Sequence, residues 1–266
     1  MQAGLIARCR DIYDKAVRDH TATIFYILTG LALLAVDWHK ATITSAMLTI
    51  FMALLFADFV SGIWHLFVDY YPLNYKLGYN KLLFYEGDRG SQTYKALKTS
   101  IMSAGSGMDE LAFYFKLHHK ISVNVNSVNL LFRGTSYGAF AALIYSVVLL
   151  IIAKISYFND VPIFNIPYNY PEYIVFWLFF SVFVANMEYI HYCIHSPKDF
   201  PIGGRFIGFM QKIGMIYKTE THLRHHQGEG IGFCFVTGHT NFIINRLVRY
   251  LLKKGVISQE RWHGMP

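Results

Sequence analysis

Residues 42–69 read TITSAMLTIFMALLFADFVSGIWHLFVD, an apolar run that closes on His65-x-x-x-Asp69. A helix needs roughly 20 residues to cross the hydrocarbon core of a bilayer, and residues 42–67 supply that length. An imidazole and a carboxylate spaced i, i+4 share one helix face. The stretch therefore predicts a membrane-spanning helix that carries two metal-ligating groups at its end.

Three further apolar runs occupy about residues 22–36, 136–157 and 172–190. The first is short; it either extends into Asp37-Trp38-His39 or pairs with the second as a helical hairpin. Aromatic residues suited to the membrane interface flank the second and fourth runs (Trp64, Tyr70, Tyr71; Tyr168, Tyr170, Tyr173). The composition agrees: 54% of the 266 residues are hydrophobic, and only 15% are charged, against roughly 25% in soluble domains. Residues 1–266 are expected to form one integral membrane unit with polar caps.

The net charge of +7 follows topology. Lys and Arg number four in residues 1–21, eight in 68–135 and ten in 191–266, while 37–41 has only Lys40 and 158–171 has none. Four spans with both termini cytosolic place every basic segment inside. With the charge so explained and no RNA- or DNA-binding signature present, nucleic acid is not an expected partner. Cys9, Cys193 and Cys234 form no C-x-x-C pair, which argues against a disulfide scaffold or a cysteine zinc site. The first twenty residues do not read as a secretory signal, and neither end carries a lipidation motif.

The same topology gathers the histidines. Eight of twelve fall in four clusters, His65-x-x-x-Asp69, His118-His119, His191-x-x-x-His195 and His222-x-x-His225-His226, all predicted on the cytosolic side. One structural zinc takes about four ligands; nine donors can hold two metals. Imidazole with carboxylate and no thiolate suits non-haem iron, although zinc, copper and nickel also accept imidazole. His20, His39, His239 and His263 read as solvated or hydrogen-bonded residues. Asp58 and Glu188 each have two readings, a support for a ligand imidazole or a structural hydrogen bond. Lys116, Lys120, Lys218 and Arg224 read as lipid-phosphate contacts or a solvated face. Residues 85–107 read as a loop or short surface helix, 212–226 as a further helix, and Gly228, Gly230 and Gly232 as a turn.

These motifs resemble those of the Kua/CarF-type lipid desaturases. Asp58-Phe59-Val60-Ser61-Gly62-Ile63-Trp64-His65 with Asp69 is similar to that family's D-F-x-S-G-x-x-H-x-x-x-D, and Phe115-Lys116-Leu117-His118-His119 to its F-x-x-H-H. His191 to His195 and His222 to His226 match its H-x-x-x-H and H-x-x-H-H. Phe233-Cys234-Phe235-Val236-Thr237-Gly238-His239-Thr240-Asn241 resembles its aromatic-Cys-x-x-Thr-Gly-x-x-Asn. The likeness covers about residues 50–245. It departs in a longer stretch between Asp69 and His118, in Lys120-Ile121-Ser122 where the family has Asp-Pro, in Thr221 where a histidine is common, and in His239 where tryptophan is common.

The resemblance implies an all-α membrane protein of about four spans with a cytosolic helical cap around a di-iron centre. Its ligands would be His65, Asp69, His118, His119, His191, His195, His222, His225 and His226, with no catalytic group beyond the metal site. The implied activity is an O2-dependent desaturation that puts a vinyl-ether or acyl-chain double bond into a membrane phospholipid. Electrons would come from a separate donor protein, since no flavin or dinucleotide motif is visible. The expected membrane is the endoplasmic reticulum of a eukaryote or the inner membrane of a bacterium. The alternatives are a di-iron lipid hydroxylase, a zinc-dependent membrane hydrolase, and a non-enzymatic haem-binding or metal-transporting membrane protein.

Overall fold

Every regular element among the described residues is helical, as the hydropathy pattern implies. The computed structural model describes residues 24–36, 42–121, 142–152, 171–195 and 204–265, without the side chains of residues 188, 189, 192 and 193. In chain order the helices are α1 (Ile24–Ala35), α2 (Ile43–Asp69), α3 (Tyr79–Leu83), α4 (Gln92–Ala104), α5 (Gly107–Lys120), α6 (Ala142–Ile152), α7 (Pro171–His195), α8 (Gly204–Lys212), α9 (Thr219–His226), α10 (Asn241–Lys253) and α11 (Gln259–Trp262). They form two compact units. One takes Met1–Leu54 and Ser136–Ala185, the other Leu55–Thr135 and Asn186–Pro266.

The first unit contains the first and third apolar runs and parts of the second and fourth. Among the described residues α2 is the one helix long and apolar enough to cross a membrane. Only 28% of its most apolar stretch is buried, whereas the core helix of a soluble protein is buried all round. Three buried hydroxyls in these helices turn back onto their own backbone: Thr29 Oγ1 donates to Phe25 O at 2.8 Å, Ser146 to Ala142 O at 2.7 Å and Ser181 to Leu178 O at 2.7 Å. That arrangement satisfies a polar group where water is scarce. The connecting segments 37–41 and 158–170, used above to count charges, lie outside the described residues, as do His20 and His39.

In the second unit short helices are fixed by their ends. Ser106 and Asp109 form a capping box at the start of α5, with Asp109 N donating to Ser106 Oγ at 3.2 Å and Ser106 N to Asp109 Oδ2 at 2.9 Å. The box sets where α5 begins and hence the direction in which His118 and His119, in its last turn, project. The polar 85–107 segment is more ordered than a loop. Arg89 donates to the carbonyls of Leu82, Leu83 and Tyr85 at 2.9, 3.0 and 3.3 Å, satisfying the C-terminal end of α3. Ser91 then caps the thirteen-residue α4. Residues 212–226 are not one helix. α8 stops where Gly214 takes φ +78° and Met215 N reaches back to Met210 O at 2.9 Å, a Schellman stop. α9 starts afresh at Thr219 with Glu220 in its first turn, where a negative charge suits the helix dipole. The three glycines 228, 230 and 232 all have positive φ, as a turn requires.

Gly62 lets the 233–241 segment lie directly against α2. A Cβ at Gly62 would stand 2.3 Å from Cys234 Sγ and 3.0 Å from Ile244 Cγ1. Cys234 and Ile244 belong to a buried cluster with Leu66, Tyr70, Phe233, Val248 and Trp262. Gly62→Ala is therefore expected to lower stability by about 1–3 kcal/mol through overpacking. Adding Cys234→Ala, which removes the obstructing sulfur, should restore most of the loss; thermal unfolding of the two variants checks this.

Candidate metal centre

The nine donor residues converge, and helix phase sorts them. His118, His191, His195, His222 and His226 form one group; His65, Asp69, His119 and His225 form the other. Within each group the donor atoms all lie within 4.8 Å of one another. The i, i+4 pairs His65/Asp69, His191/His195 and His222/His226 stay together because they share a face. Adjacent residues point about 100° apart, so His118 and His119 separate into different groups, and so do His225 and His226. The groups are neighbours: the rings of His119 and His226 stack at 4.5 Å.

The spacing of the nitrogens fits a shared cation. His222 Nε2 lies 2.8 Å from His191 Nε2, 2.9 Å from His195 Nε2 and 3.1 Å from His226 Nε2. A neutral imidazole has a single N–H, so one ring cannot satisfy three such approaches by hydrogen bonding. In the second group His119 Nε2 is 3.1 Å from Asp69 Oδ1. His65 and His225 Nε2 are 3.3 and 3.4 Å from Asp69 Oδ2 and 3.2 Å from each other. Ligand atoms held at about 2.0–2.2 Å from one ion are separated by about 3.0–3.5 Å, the spacing seen in the Asp69 group; the five-histidine group is slightly tighter, starting at 2.8 Å. His118 Nε2 is buried without a hydrogen-bond partner, which a metal would supply.

Backbone carbonyls set the tautomers of two candidate ligands. His65 Nδ1 donates to Phe233 O at 3.0 Å and His225 Nδ1 to Ile231 O at 2.8 Å. A carbonyl only accepts, so each Nδ1 carries the proton and each Nε2 keeps its lone pair for a metal. The segment that provides these carbonyls is itself clamped by Asp58. Asp58 Oδ1 accepts from Thr237 N (2.7 Å) and Gly238 N (2.9 Å), and Oδ2 from Thr240 N (3.0 Å) and Thr240 Oγ1 (2.7 Å). Asn241 reinforces it, bonding Cys234 N at 2.8 Å and Cys234 O at 2.9 Å. Of the two readings of Asp58, the structural hydrogen bond is the one observed, and it supports His65 only through the backbone of Phe233. The side chain of Glu188 lies outside the described residues.

The surroundings are dry. His65, His118, His191, His222 and His225 are buried, and so are Phe115, Phe233 and Phe235. Phe235 stacks on His191 at 4.5 Å, and Phe115 stands 5.5 Å from His65. Burial, reinforced by neighbouring imidazoles, holds His118, His222 and His226 below the usual imidazole range. Burial lowers His119 as well, against the opposing pull of Asp69. These rings are thus neutral, the form that binds metals. Lys116 is neither a solvated face nor a lipid contact: it is 4% exposed and donates to the carbonyls of Asp69 and Arg261. Burial pushes it down to about 8, with Asp69 acting in the opposite sense. His239 and His263 are exposed and belong to neither group. Sequence reasoning missed Trp262, whose ring stands 4.6 Å from that of His119 and 4.7 Å from that of His225; no spacing rule marks it.

A protein helical throughout its described residues, with a buried, histidine-rich site able to hold metal, is the class that fold and geometry define. A family model, described as the lipid desaturase domain, matches residues 93–259, and the chain belongs to that family. The match includes seven of the nine donors and begins after His65 and Asp69; relative to the resemblance above, it starts and ends further along the chain. No curated protein and no solved structure matches.

Two outcomes follow for the protein without metal. Asp58→Asn removes acceptor capacity from a clamp of four donors and should cost about 1–3 kcal/mol, seen as a lower unfolding midpoint. The buried neutral histidines make stability pH-dependent. Below about 6.5 the unfolded chain takes up protons that folded His118, His119, His222 and His226 do not. Stability should therefore be fully present above that pH and fall as the solution is acidified, by up to about 1.4 kcal/mol per pH unit for each group. Unfolding midpoints between pH 8 and pH 5 check the sign.

Proposed function

We propose that the protein is a membrane-bound di-iron enzyme that uses O2 to desaturate a chain of a phospholipid. The observation that carries this reading is the sorting of nine donors into two adjacent groups. One zinc would account for one group and leave the other unexplained, which weighs against a hydrolase. The Nε2 atoms of His191, His195, His222 and His226 approach one another at 2.8–3.2 Å, too close for a porphyrin plane to pass between them, which weighs against haem. Membership of the lipid desaturase family makes a lipid the substrate class.

Bound iron supplies the redox chemistry that activates oxygen. The protein's residues do the rest. His65, Asp69, His119 and His225 hold one ion; His118, His191, His195, His222 and His226 hold the other. The carbonyls of Phe233 and Ile231 keep two of these imidazoles in the ligating tautomer. Phe115, Phe233 and Phe235 exclude water, so that an apolar chain can approach and oxidising equivalents are not lost to solvent. Two hydrogens leave adjacent carbons of the substrate. The chain and an external donor each give two electrons, and O2 with two further protons ends as two waters. The donor is a separate protein. The substrate is a phospholipid with an alkyl-ether or acyl chain, and the product carries a vinyl ether or an acyl double bond.

In the membrane the arrangement is four spans, with α2 the longest apolar helix and the termini and donor groups cytosolic. The basic 68–135 and 191–266 segments and the 158–171 segment, which has no Lys or Arg, support that orientation.

Two measurements decide the reading. Lipid mass spectra of cells expressing the wild type should show a species lighter by two hydrogens that is absent with His191→Ala. Gain of one oxygen instead would make the enzyme a hydroxylase, and an unsaturation persisting in the variant would remove His191 from the ligand set. Metal analysis of purified protein should give about two irons per chain; one zinc and no iron would favour hydrolysis.

A further inference from the structure

The chain's last residues, beyond the matched family region, are built against the metal centre. Trp262 is 4% exposed. Its indole stands edge-on to His119 at 4.6 Å and 74°, and to His225 at 4.7 Å and 80°. Tyr70 and Phe233 close its other sides at 5.5 and 5.7 Å. Both imidazoles it covers belong to the Asp69 group, so two of that group's three histidines have the indole as a wall.

Several separate contacts hold the indole there. Ser258 Oγ opens α11 by accepting from Arg261 N at 3.3 Å. Lys116 Nζ, buried, joins Arg261 O (2.7 Å) to the carbonyl of Asp69, tying the tail to the residue that ends α2. Tyr75 donates its hydroxyl to Gly264 O. Gly264 has φ +70°, and a Cβ there would come within 2.5 Å of Leu83 Cδ2 and 2.7 Å of Leu73 Cδ1. A buried ammonium is costly unless its hydrogen bonds are satisfied. Placing one where it only joins two backbone segments is an investment in the position of the tail.

We propose that Trp262, on a strap formed by residues 258–265, seals the Asp69 group: it keeps water and competing ligands from the ion held there and fixes His119 and His225 in their ligating orientation. This rests on the metal-centre reading, and the strap's role is separable from it. Outer groups that orient metal ligands typically change affinity 10–100-fold when removed.

The test uses purified full-length protein loaded with cobalt(II), which reports its ligands by absorbance, and challenged with EDTA. Trp262→Ala should release about half of its metal at least tenfold faster than the wild type, with the other half unchanged. Trp262→Phe keeps an aromatic wall and should stay near the wild-type rate. Gly264→Ala should accelerate the same half while retaining the tryptophan, because it displaces the strap. Loading should also quench tryptophan emission in the wild type, and a component of that quenching should be missing in Trp262→Phe. Release from folded Trp262→Ala at the wild-type rate overturns the proposal. Should that variant fail to fold, Gly264→Ala and the milder Tyr75→Phe decide in the same way: wild-type release from both refutes the seal. Wild-type protein that binds no cobalt refutes the metal-centre reading itself, whatever the strap does.

Discussion

Eight imidazoles and a carboxylate packed out of water, with lone pairs directed at one another, form an arrangement that costs free energy on its own. Each ring gives up hydration on burial. The nitrogens of His191, His195, His222 and His226 approach too closely and too often for their few protons to satisfy. A cation at the centre of a group would turn this cost into binding energy. The other features of the second unit can be understood as ways of holding those side chains in place before a cation arrives: short helices with fixed ends, a clamped loop and a pinned tail.

The clamp is where two distant stretches of sequence become one device. Asp58, Ser61 and Gly62 lie along α2 ahead of His65; Phe233 to Asn241 lies some 175 residues later. Gly62 provides room for Cys234. Ser61 Oγ accepts from Phe235 N at 3.4 Å. Asp58 collects four donors from Thr237, Gly238 and Thr240. The result is a carbonyl of Phe233 placed to receive the proton of His65. His65 on α2 is therefore oriented by residues one and two turns earlier on the same helix, acting through a loop from the other end of the chain.

Much of this was legible in the sequence, for physical reasons that also mark its limits. The i, i+4 pairs announce shared faces because helical spacing is local, so the nine donors could be named from residue type and spacing. Their partition into five and four was not legible, because it depends on how α5 and α9 are turned about their axes, and capping and packing fix that. Hydropathy picked out four apolar runs, helical where described, although among the described residues only α2 is both long and apolar enough to cross a membrane. The polar 85–107 segment left a loop and a short surface helix both open, and α4 is the helix, because its order comes from Arg89 and Ser91 rather than from an apolar stripe. The 212–226 stretch looked continuous because a single glycine, Gly214, carries the stop. Asp58 stayed ambiguous because its partners are backbone amides, which sequence does not display. Lys116 and Trp262 gave no signal, one resembling any surface lysine and the other any interfacial tryptophan.

The two groups differ in charge, and that difference bears on what they can do. Asp69 is the one formal anion among the nine donors; the five-histidine group is neutral throughout. Two unit charges 4 Å apart still interact by about 4 kcal/mol at an effective dielectric constant of 20, so an ion beside Asp69 is stabilised in a higher charge state relative to one among imidazoles alone. Two ions held there would differ in the charge state each favours, and under the proposed desaturation that difference would give electrons a direction. The fold reaches it economically: α2 ends on a carboxylate where α7 and α9 each present a second histidine at the same i, i+4 position.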